Sequence, residues 1–81
     1  MEVFVLTSEY SDYEGSGGSL LGVASSFEKA ENLAEEYCEI ENIPFTPFIK
    51  DGHGDGEMRE TETEWLEIRR VEVDSDYLIG D

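Results

Sequence analysis

Carboxylates are the most abundant reactive groups in this chain, and their spacing sets what they can do. Glu28, Glu31, Glu35 and Glu39 recur at three- and four-residue intervals. At about 100° of turn per residue, they fall within about 80° of one another on one side of a helix. Glu36 borders this row, and Lys29 is the only base in the segment. Farther on, Glu60, Glu62 and Glu64 alternate with threonines; on a strand this puts three carboxylates on one face at intervals of about 6.7 Å. Helical side chains four residues apart are separated by about 6 Å. Phosphates on one DNA strand stand at a comparable spacing, rising about 3.4 Å per charge while winding round the axis. Two such rows suit a protein mimic of DNA. The plain alternative is a solvated acidic face, which helices show routinely.

A second constellation combines Tyr10 and Tyr13 with Glu9, Asp12 and Glu14. Tyrosines beside carboxylates suit an arginine-rich surface, through cation–π contact and bidentate pairing; the competing reading packs at least one tyrosine on the core. A third is the loop from Asp51 to Gly56 (DGHGDG) with Glu62 beyond it. It matches a calcium-binding loop at Asp51, Asp55, Gly56 and Glu62 but fails at His53, where an oxygen ligand is required. Pro44 and Pro47 before it and an extended segment after it remove the flanking helices. A tight turn accounts for it better, and Asp51, Asp55 and Glu62 stand as a weak metal candidate.

No residues assemble into a catalytic site. The Gly15–Ser19 stretch lacks the Gly-Lys-Ser/Thr ending of a phosphate-binding loop, and Asp12 and Glu14 beside it repel phosphate. Cys38 falls on an apolar stripe, where thiols are inert. His53 has no nucleophile partner in any motif. Carboxylate pairs arise by chance in so acidic a chain, whereas acid–base catalysis needs a desolvated pair with separated pKa values. Neither an enzyme nor a cofactor is expected.

Charge bounds the partners. Twenty-one Asp and Glu face five Lys and Arg, for a net charge of −16 over 81 residues. Small domains reach good solubility with a net charge of about 2–8, and the excess destabilises the compact state through self-repulsion. The sign excludes direct binding to a phosphate backbone. The single cysteine rules out an internal disulfide and a multi-cysteine zinc site. No apolar run approaches the ~20 residues of a membrane span, and no signal-type segment is present. A cytosolic protein is expected.

These side chains need elements to position them. Glu2–Ser8 reads as an interior strand with apolar residues on both faces, and Leu20–Ala24 as a second strand across a Gly-rich connection. Ser25 to Glu28 has the spacing of a capping box. From Phe27 to about Glu41, apolar residues at three- and four-residue spacing predict an amphipathic helix, ended where Asn42 and Ile43 precede Pro44. Ile43–Lys50 reads as an extended connection or edge strand, and Glu57–Thr63 and Trp65–Val73 as strands. The order β-β-α-β-β predicts an α+β fold, a small antiparallel sheet with the helix packed on one face. It forms a single domain over residues 1–74, followed by an acidic tail at 75–81.

The stretch from Val3 to Ala30 resembles a group of small uncharacterised proteins from bacteria and their phages. The shared features are a strand, the acidic aromatic turn Tyr10–Gly15, a second strand ending Gly22-Val23, and Ser25-Ser26-Phe27-Glu28-Lys29-Ala30 at a helix start. Thr63–Ile68 is similar in flavour. The resemblance implies a fold and a source in the bacterial host cytosol, with no catalytic residues. Together with the charge, it leads to the expectation of a non-catalytic acidic inhibitor or DNA mimic. Its partner would be a basic nucleic-acid-binding site on a defence protein, such as a nuclease or CRISPR effector. Two other readings stand beside it. One is an assembly module that pairs through a sheet edge or dimerises through Trp65; the other is a calcium-responsive module using Asp51, Asp55 and Glu62.

Overall fold

The computed structural model describes residues 1–73; the expected acidic tail at 75–81 lies outside them. Five strands and one helix follow in the order β1 (Glu2–Asp12), β2 (Gly15–Ala24), α1 (Phe27–Ile40), β3 (Ile49–Lys50), β4 (Gly56–Arg59) and β5 (Glu64–Glu72). All pairings are antiparallel, and the sheet runs β2-β1-β5-β4-β3. This is the expected α+β architecture, and the edge-strand reading of Ile43–Lys50 holds for its last two residues, Ile49–Lys50.

The first hairpin departs from expectation. The Gly-rich connection is itself strand: β1 continues to Asp12, β2 begins at Gly15, and only Tyr13 and Glu14 turn the chain. Asp12 Oδ1 accepts from the backbone N–H groups of Glu14 and Gly15 at 2.9 and 3.0 Å, closing the turn. Glycine and serine sit in this strand because their neighbours on β1 supply the missing side-chain volume: the Tyr10 ring and the Glu9 carboxylate lie across Gly17 and Gly18. A bulge between Leu6 and Thr7 shifts the register, leaving Leu21 as the extra residue.

The helix begins one residue later than its capping-box reading. Ser26 is the N-cap, and its Oγ accepts from the Lys29 N–H at 3.2 Å. The residue three beyond the cap is therefore a lysine, so the reciprocal glutamate contact expected of Glu28 does not form. At the other end, Asn42 takes φ +58°, Ile43 N donates to Cys38 O at 2.8 Å and Asn42 N to Glu39 O at 3.3 Å. These two bonds close the last turn as a Schellman motif, one residue before Pro44 enforces the break.

The core lies between α1 and one face of the sheet. Leu6, Met58, Leu66 and Ile68 meet Ala30, Ala34 and Cys38 from the helix and Phe48 from the segment before β3, all buried. Small residues on the helix stripe let its backbone approach the sheet. Among the described residues, none forms a layer over the opposite face of the sheet. Register puts Val5 beside Val23 and Arg69, Thr7 beside Leu20 and Glu67, and Glu9 beside Trp65 on that side. Leu20 is 67% and Val23 53% exposed, so β1 is interior to the sheet while, among the described residues, only one of its apolar faces is covered.

Candidate functional site

The outward side of α1 holds its carboxylates as their spacing requires. Glu28, Glu35, Glu36 and Glu39 are exposed and Glu31 is half-buried at the flank, opposite the buried stripe of Ala30, Ala34 and Cys38. Among the described residues, none of these five glutamates forms a salt bridge. The ion pairs fall on Glu2, Glu57, Glu67 and Glu72 instead. Nor does the last turn of the helix carry a base to offset Glu39 at its negative end.

The five bases are all engaged locally. Arg59 Nε donates to Glu57 and an Arg69 terminal nitrogen to Glu67, each at 2.7 Å. Arg70 reaches Glu2 at 3.3 Å, Lys50 Nζ sits 4.5 Å from the centre of the Phe27 ring, and Lys29 Nζ donates to Ser25 Oγ at 3.3 Å. The fold thus segregates charge. Three arginines pair on the sheet, and the row Glu28, Glu31, Glu35 and Glu39 contains no base, with exposed Lys29 at its border beside Glu36.

The second carboxylate row does not form. Glu60 and Glu62 lie in the turn between β4 and β5, and only Glu64 belongs to a strand. The threonines explain the break: Thr61 Oγ1 accepts from the N–H groups of Thr63 and Glu64 at 3.2 and 3.0 Å. The N–H groups of Glu60 and Thr61 both donate to Glu64 O. A hydroxyl that bonds its own backbone competes with the strand ladder. Glu60 is half-buried there, and burial, then the neighbouring Glu64 carboxylate, raise its pKa.

The remaining candidates are separated from one another. Tyr13 stands at the hairpin tip, 97% exposed, with Glu14 beside it. Tyr10 lies on β1 against Gly17, and the Asp12 carboxylate is used inside the turn. Asp51 Oδ1 accepts from His53 N at 2.7 Å and Asp55 N at 3.2 Å, and those bonds hold its pKa below the ordinary aspartate value. Asp55 Oδ1 accepts from Arg70 N, so this loop is a turn stitched to β5. Glu62 lies at the far end of β4 from Asp51 and Asp55. Among the described residues, no three His, Cys, Asp or Glu side chains are grouped to hold a metal ion, and no helix is long and apolar enough to cross a membrane.

Residue spacing alone does not reveal the uncovered sheet face or the long edge of β2. One signal for the edge is present in the chain: Gly15–Ala24 is uncharged although 32% of the residues are charged. Residues 1–77 match a family described as a domain of unknown function (DUF7336). No curated protein and no solved structure matches the chain.

Proposed function

The chain belongs to the DUF7336 family, and we propose that its glutamate helix face is a binding surface for a basic protein. It would fill that partner's nucleic-acid-binding site without catalysis. The observation that carries the reading is the segregation of charge: Glu28, Glu31, Glu35, Glu36 and Glu39 have no ion-pair partner among the described residues, while Arg59, Arg69 and Arg70 pair with other carboxylates, Lys50 sits over the Phe27 ring and Lys29, on the same helix, bonds Ser25. Glutamates four residues apart stand about 6 Å from one another, close to the phosphate spacing along a strand. With Glu60 and Glu62 in a turn, mimicry rests on the helix alone, and the footprint is one short row. The target class is a nuclease, a CRISPR effector or another DNA-binding protein, in keeping with a phage or prophage source. Such an encounter is steered by charge and weakens with salt.

The test is capture from a bacterial lysate at low and high salt, beside a variant with Glu28, Glu31, Glu35 and Glu39 changed to Gln. Capture of a basic nucleic-acid-binding protein by the wild type alone, reversed by salt or duplex DNA, is the expected result. Identical capture by both proteins would remove the helix face from the account. A second reading has its own observation, the exposed Leu20 and Val23 on the uncovered sheet face. It makes the domain an assembly module that dimerises face to face, and predicts self-association in sedimentation that survives high salt.

A further inference from the structure

We infer that β2 is a docking edge for an extended, lysine- or arginine-rich segment of a partner protein, which joins the sheet as a sixth strand. The inference rests on the reading that the partner is basic, and it adds how that partner is held. β2 ends the sheet order. Its ten residues extend about 33 Å, and one side of its backbone pairs with β1. Among the described residues, no loop, cap or side-chain hydrogen bond involves the backbone of Ser16–Ala24. Folded proteins blunt such edges with charge, proline or brevity. The other edge follows that rule: β3 has two residues, one of them Lys50, shortly after Pro44 and Pro47. β2 contains no charged residue and no proline.

The surface around this edge is built for a cationic strand. Gly17 and Gly18 let two β1 side chains reach over β2. A β-carbon at Gly17 would stand 2.9 Å from the Tyr10 ring, and one at Gly18 would collide with the Glu9 carboxylate. Consecutive strand residues point to opposite faces, so an incoming strand finds a carboxylate on one face and a phenol ring on the other. Both are partners for Lys or Arg. Toward the far end of β2, a groove lined by Val23, Ala24, Ser25, Lys29, Asn32 and Leu33 lies between the edge and the helix; Lys29 repels a cation there, so this end takes the uncharged side chains of the incoming strand. Strand addition takes affinity from the main chain and selectivity from such alternate contacts. A second copy of this chain would bring another −16 charges to the same edge, which is why the occupant is assigned to a basic partner.

The experiment is residue-resolved amide hydrogen exchange by NMR on the full chain. The probe is a capped peptide of alternating lysine and threonine, about eight residues long. Controls are the glutamate–threonine counterpart and the lysine peptide with alternate backbone nitrogens methylated. Slowed exchange confined to β2 amides, with the lysine peptide only, is the expected result. Glu9→Gln should weaken that binding about 2- to 5-fold, the size of an exposed ion pair. Shifts along α1 without protection of β2 would overturn the docking edge while leaving the acidic helix face as the binding surface. No response anywhere would overturn both. Equal protection by the glutamate peptide would overturn the charge assignment. Protection of β2 that grows with protein concentration and needs no peptide would assign the edge to a second copy.

Discussion

The guanidinium of Arg59 lies 4.4 Å from the centre of the Trp65 ring, and the β4–β5 register makes these two residues direct partners. With Arg59 Nε also donating to Glu57 at 2.7 Å, the arginine shields the indole on the sheet face opposite α1. Arg59→Ala should lower stability by about 0.5–1 kcal/mol, the worth of an exposed cation–π contact. It should also shift Trp65 emission to longer wavelength in the folded state. Urea titration followed by fluorescence reads both; an unchanged midpoint and spectrum would show that the stacking contributes nothing.

Gly56 is held to glycine by Phe27. A β-carbon there would stand 2.5 Å from the tip of the ring. That ring is fixed edge-on between Phe4 and Phe48, at 6.1 and 6.2 Å between centroids. Gly56→Ala should destabilise by about 1–3 kcal/mol, as overpacking does. Gly52→Ala is the control, because nothing lies within 4 Å of its β-carbon. Thermal unfolding of the pair separates crowding from loss of backbone freedom, since both variants change the unfolded chain alike.

Apolar periodicity carries the legible part of the fold, whereas the capping box is read one residue early, Ser26 being the N-cap. The stripe containing Ala30, Ala34 and Cys38 has one physical solution, a helix on a sheet, and Pro44 marks its end. Gly15 to Ser19, the glycine-rich part of the Tyr10–Ser19 connection, misleads because glycine and serine are turn formers by propensity; the Tyr10 and Glu9 side chains that lie across Gly17 and Gly18 belong to the paired strand β1, outside the local pattern of that run. The run from Glu60 to Glu64 misleads in the opposite direction. Its alternation is strand-like, but the Thr61 hydroxyl captures two backbone N–H groups and bends the chain. The helix glutamates were placed by spacing alone, whereas the absence of ion pairs on them follows from where the arginines land in the register.

Two carboxylates should give opposite pH dependence. Glu60 has a raised pKa in the fold, from burial and then from Glu64. Its contribution is therefore fully present below the unfolded pKa and is lost as pH rises through the folded one. Asp51 has a lowered pKa, chiefly from the His53 N–H, so its contribution is present above the unfolded pKa and fades as pH falls through the folded one. Glu60→Gln should raise stability at neutral pH and leave it unchanged in acid below the ordinary glutamate pKa of about 4.3. Asp51→Asn should lower stability at neutral pH, with a difference that shrinks on acidification. Denaturation midpoints across the acid range check both; parallel curves for either variant would refute the assignment.

The glutamate face of α1 should reduce the stability of the fold that displays it. Glu31 with Glu35 and Glu35 with Glu39 are like charges four residues apart, and Glu28 with Glu31 three apart; each such pair opposes a helix by about 0.2–0.5 kcal/mol. Glu39 adds repulsion from the helix C-terminus, whereas Glu28 is favoured at the N-terminus. Changing Glu28, Glu31, Glu35 and Glu39 to Gln should therefore stabilise the domain by about 1 kcal/mol at low salt. The gain should shrink as the Debye length falls from about 30 Å at 0.01 M to about 8 Å at 0.15 M. Thermal melts of both proteins across that range measure it. A variant that is more stable and yet loses its basic partner would mean the charge is retained for binding at the expense of stability. If it gains no stability and keeps the same partners, these carboxylates are ordinary solvated surface and the proposed function falls with them.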